Sequence, residues 1–212
     1  MLVSGCAMLA PKKPDNPYVG LTILNSSVEY VGPQNIFLEK DRYPQDVVLV
    51  FPYVSGSIFG NPDSPSLFIK QMGETMDFSL NLAAKAKEIE PHAQPLTKQW
   101  QSLGLSIQPQ GALLARLGTF PLSAKTQKFI GGGGFIDSTS RNSLILVYVD
   151  RACEIKGQVN LAGERYGHNL KFSGKGFHWV EVLKKSKGVY SLEPYSGHRA
   201  KFSIHINDLI LL

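Results

Sequence analysis

Cysteine is scarce, with two in 212 residues, so a disulfide framework is excluded and stability must come from a core. Long apolar runs are missing as well: nothing approaches the roughly 18 uninterrupted apolar residues of a membrane-spanning helix. Charge is sparse, 18% of residues against about 25% in an average soluble protein. The excess of 22 basic over 17 acidic side chains, net +5, favours anionic surfaces without calling for a nucleic-acid partner.

Motifs of common catalysts are absent too. No Gly-x-Ser-x-Gly occurs, and Ser55-Gly-Ser-Ile-Phe-Gly60 has its glycines at the wrong offsets for a nucleophile elbow. His92, His168, His178, His198 and His205 form no His-Glu-x-x-His and no close ligand pair, so no metal is signalled. The run Gly131–Gly134 is followed by neither Lys-Ser nor Lys-Thr and leads toward a strand, which excludes a phosphate loop and reads as a flexible connection. No cofactor is expected.

What is present is a core in the making: 43% hydrophobic residues, 10% aromatic, 20 Gly and 13 Pro. The dominant period is two. Phe78, Leu80, Leu82, Ala84 and Ala86 alternate with polar or small residues; so do Cys153, Ile155, Val159 and Leu161, with Gly157 a gap in the row, and Phe202, Ile204 and Ile206. Val47–Phe51 and Leu144–Val149 are apolar at successive positions and read as central strands covered on both faces. The apolar phase changes between Ile23 and Val28, which suggests a bulge at Asn25–Ser27. Between Leu96 and Phe120 one or two helical turns compete with a strand. Turn-forming clusters at Gly32-Pro33, Gly60–Pro65, Pro109–Gly111, Ser173–Gly176 and Ser196-Gly197 separate the pieces. The expected fold is all-β, mostly antiparallel, a β-sandwich with at most one or two short helices. Residues 1–17 read as a signal remnant and tether, 18–130 as an N-terminal and 131–212 as a C-terminal β unit, packed as one domain or as two.

The tetrapeptide Val3-Ser4-Gly5-Cys6 resembles the lipobox of bacterial lipoprotein precursors: small residues admit the peptidase and Cys6 offers the thiol to be acylated. Only five residues stand before Cys6, so the charged head and apolar core of the signal are absent from this sequence. The proline-rich stretch 11–17 that follows suits a tether. The resemblance implies a lipid anchor on Cys6 and the periplasmic face of an outer membrane; the alternative address is the cytoplasm. Cys153, in a strand-like run, reads as a small core residue.

Candidate site residues lie near the C-terminus. In Phe177-His178-Trp179, alternation puts His178 on the face opposite the two aromatics. His178 could serve as a base with Glu181 or Asp150, and His178, His198 and Asp208 could meet around a metal. Asp150, Arg151, Glu154 and Glu181 could form a polar cluster at the mouth of the sheet. Trp179, if exposed, would anchor a partner, and with Tyr190 and Tyr195 would suit a glycan or lipid. Lys184–Lys187 reads as a solvated hairpin tip. The first expectation is a non-enzymatic envelope lipoprotein that binds another protein, as assembly factor, inhibitor or immunity-type protein; the alternatives are an envelope hydrolase using His178, or a glycan- or lipid-binding module.

Overall fold

A computed structural model describes residues 18–32, 46–58, 68–71, 77–197 and 200–205. The fold is all-β with two short helices. The strands are β1 Ile23–Val31, β2 Val47–Phe51, β3 Tyr53–Ser55, β4 Phe68–Gln71, β5 Asp77–Asn81, β6 Gln94–Pro95, β7 Leu105–Gln108, β8 Leu113–Leu117, β9 Phe120–Ser123, β10 Gly132–Asp137, β11 Ser143–Val149, β12 Cys153–Leu161, β13 Glu164–Phe172, β14 Gly176–Ser186, β15 Val189–Pro194 and β16 Ala200–His205. The helices are α1 Leu82–Ile89 and α2 Lys98–Ser102.

Thirteen strands form one sheet of order β5-β1-β16-β10-β11-β14-β15-β13-β12-β7, with β8 branching from β11 and carrying β3 and β6; β4-β2-β9 form a second. Most pairs are antiparallel, as alternation and short turns favour. Two are parallel, β1 with β16 and β13 with β15, so the large sheet is mixed.

Strand β11 explains how one sheet serves two cores. Its Leu144, Leu146 and Tyr148 join a cluster with Tyr30, Leu49, Phe51, Phe135, Phe177 and Phe202, over which the small sheet and α1 pack in sandwich fashion. Its Val147 and Val149 face the other way, into a cluster with Leu114, Ile155, Leu170, Phe172, Val180 and Leu192, around which the strands from β11 to β7 curl. The continuous apolar character of Leu144–Val149 follows directly from this double burial.

Several local expectations need correction. The alternation from Phe78 ends at Asn81, whose side-chain oxygen accepts from Ala84 N at 2.9 Å and caps α1. Leu82, Ala86 and Ile89 are then buried at helical spacing; Leu82 and Ala86 fit both periods, whereas Ala84 is exposed on the outer side of the helix, and the cap with its alanine-rich sequel decides for helix. Strand β1 has no bulge: Leu24, Ser26, Val28 and Tyr30 are buried in unbroken alternation. Val19 and Ile23 are exposed because they precede or begin the strand on its outer side. Instead of bulging, β1 changes partner, from β5 through Ser27 to β16 from Val28. Gly132–Gly134 form no loose connection but pair with Ser203–His205 in the ladder, and a Cβ on Gly133 would come within 2.8 Å of the buried Phe202 ring. The gap at Gly157 has a steric cause: at φ +130°, its Cβ would stand 2.0 Å from Gly104 O. The segment after Leu96 resolves into both alternatives, α2 and then β7.

Candidate functional site

The structure brings three of the nominated residues together. Strand β15 runs between β13 and β14 up to Pro194, where it pairs with Val180. Beyond that point β13 and β14 are no longer bridged, and a cavity of about 350 Å³ opens, lined by Phe172, His178, Trp179, Tyr195, Ser196 and Leu21 among others. The chain's first described residues close its floor. Val19 and Gly20 donate their backbone N–H to Lys175 O, and Leu21 to Phe177 O. Gly20 lies so close to Phe177 that a Cβ would stand 2.4 Å from its backbone nitrogen, so only glycine fits.

His178 is half-buried and its Nε2 donates to Gly174 O at 2.8 Å, with the ring tilted on Phe172 at 5.2 Å between centroids. Desolvation lowers its pKa, with the Gly174 carbonyl opposing, so the imidazole is neutral near pH 7. Its nominated carboxylate partners stand elsewhere. Glu181 lies on the opposite face of β14, where it accepts from Asn142 Nδ2 at 2.8 Å and Ser140 Oγ at 3.3 Å. Asp150 follows Val149, three positions along β11 from Val147, the residue opposite His178, a separation of roughly 10 Å at strand rise and on the opposite face of the sheet. It accepts from Leu113 N at 2.7 Å and pairs with Arg151 at 2.5 Å. Glu154 pairs with Lys156 and Lys171. The polar cluster is therefore not assembled, and among the described residues no acid is positioned to make His178 a base.

Trp179 is 5% exposed and packs edge-on against Phe135 at 5.0 Å; it is a core residue, not an exposed anchor. Tyr195 packs partly on the same core, and its hydroxyl donates to Asp137 Oδ2. Tyr190 lies apart, paired across the ladder with Lys184 and Tyr166. It stacks on Tyr166 at 5.0 Å and 13°, and Glu164 accepts from both hydroxyls, at 2.6 and 3.1 Å. That carboxylate pushes the Tyr166 hydroxyl up to about 12 and raises that of Tyr190. Glu164 and Tyr166 could have been paired from their spacing of two; the long-range partner Tyr190 could not.

Cys153 is buried, and desolvation raises its thiol to about 12, as suits an inert core residue. Lys184–Lys187 form an exposed hairpin tip. His168 is 4% exposed and desolvation lowers it to about 4. Cys6, His198 and Asp208 lie outside the described residues, and among those described no three His, Cys, Asp or Glu side chains converge as a metal would need. None of the described helices is long and apolar enough to cross a membrane.

One surface feature was not singled out from sequence. Phe129 is 63% exposed and stands edge-on to Phe120 at 5.3 Å between ring centroids. The turn before it is pinned by Asp46, which accepts from Ser123 Oγ at 2.6 Å and Lys125 N at 3.2 Å, and by Ser123 N donating to Lys128 O at 2.9 Å. A large aromatic is thus held out in water by a braced turn flanked by Lys125 and Lys128. The signal was an aromatic directly after a polar run, Ser123–Lys128. Comparison with known proteins finds no matching family model, no matching curated protein and no matching solved structure.

Proposed function

We propose that this chain is a non-enzymatic envelope lipoprotein that acts as a protein-binding module, anchored through Cys6 at the periplasmic face of a bacterial outer membrane. The binding half of this reading rests on Phe129. Exposing most of a phenylalanine ring forgoes about 1.5–3 kcal/mol of burial, and a braced turn beside two lysines offers a rigid aromatic anchor of the kind that dominates interfaces. The anchoring half rests on the lipobox-like Val3–Cys6 and the proline-rich stretch after it.

The same geometry weighs against the alternatives. His178 has its Nε2 hydrogen committed to a backbone carbonyl and no hydrogen-bonded carboxylate among the described residues, and Trp179 is withdrawn from solvent. The full chain, expressed with its native upstream sequence and purified from membranes, is compared with Phe129→Ser in binding to envelope proteins. A partner retained in stoichiometric amount by the parent, and weakened at least tenfold by the variant at unchanged melting temperature, supports the reading. Equal retention by both, or an unmodified Cys6 in the membrane fraction by mass spectrometry, contradicts the corresponding half.

A further inference from the structure

Strand β11 gives one edge to two partners in turn. Phe135 of β10 stands opposite Leu144, and Leu117 of β8 stands opposite Leu146, so the two strands part between these positions. The same registers would set Gly133 opposite Leu146 and Thr119 opposite Leu144. Each has lost its place to the other strand. Between them lies a cavity of about 190 Å³, lined by Leu117, Thr119, Phe120, Gly133, Phe135 and Leu144 among others.

The direction of the Gly133 main chain follows from the ladder. Asp137 N donates to Asn142 O at 2.9 Å, so the N–H and C=O of Asp137 face the β11 edge. Alternate residues of a strand share a side, and β10 keeps unbroken register with β16 from Gly132 to Asp137. Gly133 therefore aims both groups at the fork, while Gly132 and Gly134 aim theirs at β16. Among the described residues no strand pairs with Gly133 on the fork side. Thr119 adds an independent sign. It is 7% exposed, and its hydroxyl makes no hydrogen bond to any described residue, which few buried polar groups tolerate.

The chemistry of the opening selects its occupant. A strand edge presents one N–H and one C=O at the spacing of another main chain. The floor of Leu117, Phe135 and Leu144 is apolar and belongs to the larger core. A Cβ at Gly134 would meet nothing within 4 Å, so one side stands open. The volume lies below the roughly 300 Å³ at which pockets for whole small molecules begin and suits a short stretch of a longer chain. Phe120 joins the cavity to the exposed Phe129, which it meets edge-on.

We propose that the fork between β8 and β10 receives an extended segment of the partner protein, which pairs its main chain with Gly133 and sets an apolar side chain on Leu117, Phe135 and Leu144. The inference rests on the protein-binding reading above and names the form in which the partner is held.

The test follows amide hydrogen exchange of the full chain by NMR, alone and with the peptide Ac-Thr-Val-Thr-Leu-Thr-NH2 as probe. In the free protein the Gly133 N–H is expected to exchange at least tenfold faster than those of Gly132 and Gly134. Saturating peptide slows it at least tenfold, and the same peptide N-methylated at every residue does not. Gly133→glycolate, an ester in place of the amide, removes the donor without adding a side chain and weakens peptide binding about fivefold, the worth of one backbone hydrogen bond. Should that variant not fold, the methylated peptide still decides. A Gly133 N–H already protected in the free protein, no slowing by the peptide, or equal slowing by its methylated form overturns the site. Protection that grows with the protein's own concentration assigns the fork to a second copy and overturns the partner segment. Partner retention lost in Phe129→Ser with no effect of the peptide on Gly133 removes this inference alone. Peptide binding with equal retention by Phe129→Ser removes the protein-binding reading and leaves the fork a peptide site.

Discussion

The hydroxyl of Tyr195 donates to Asp137 Oδ2, tying the segment after β15 to the turn between β10 and β11. The other oxygen of Asp137 accepts from Thr139 N at 2.9 Å and Ser140 N at 2.6 Å. With Tyr195 the largest cause and the two amides adding to it, the carboxyl falls from 3.8 to about 2. A lowered folded pKa stabilises above the unfolded value, and that stabilisation is lost as pH falls toward 2.

Tyr195→Phe therefore costs about 1.5–3 kcal/mol, the range for a hydrogen bond to a charged group, and moves the Asp137 pKa back toward its ordinary value. Denaturant unfolding and carboxyl NMR titration check both. An unchanged pKa in the variant would show that the hydroxyl is not the main cause.

His168 and His178 set a second pH dependence. Burial lowers both, His168 to about 4, below the roughly 6.5 of a histidine in an unfolded chain. The unfolded state then binds more protons, and stability falls as pH drops from about 6.5 toward 4. His168→Gln is expected to reduce the slope of unfolding free energy against pH in that window by up to about 1.4 kcal/mol per pH unit, one proton's worth. An identical slope in the variant contradicts this.

The glycine run offers a graded test. A Cβ meets nothing within 4 Å at Gly132 or Gly134 but is 2.8 Å from the Phe202 ring at Gly133. Gly132→Ala and Gly134→Ala are expected within about 0.5 kcal/mol of the parent or more stable by up to about 1, while Gly133→Ala destabilises by about 1–3. Thermal unfolding of the three variants reads the pattern, and equal effects would mean the run is not packed as a strand.

At the start of α1, Asn81→Ala removes the acceptor for Ala84 N and is expected to cost about 1 kcal/mol. Asn81→Asp should restore most of it, because either side chain supplies the capping oxygen. Failure of that rescue would point to packing instead of capping.

Much of the fold was legible because alternation is a local signal. Ile155, Val159, Phe202 and Ile204 fall on the faces their spacing indicates, and the doubly apolar Leu144–Val149 is the strand with a core on each side. The misreadings arose where local pattern was degenerate. Leu82 and Ala86 suit strand or helix, and consecutive glycines suit hinge or ladder until Phe202 and Ser203 are seen beside them. The site was less legible. His178, Trp179 and Tyr195 do meet around one cavity, but whether Trp179 is exposed depends on Phe135, 44 positions earlier. Phe129 derives its significance from a braced turn, in which Asp46 is paired with Ser123 and Lys125, distant in sequence.

Site-specific photo-cross-linking tests the central claim most directly. A benzophenone side chain in place of Phe129, in the full membrane-anchored chain, is predicted to give one dominant protein adduct on irradiation in the envelope. The same group at Lys187, on the exposed hairpin tip, should give none. Adducts indistinguishable at the two positions, or no adduct at Phe129, would contradict a contact function centred on that ring.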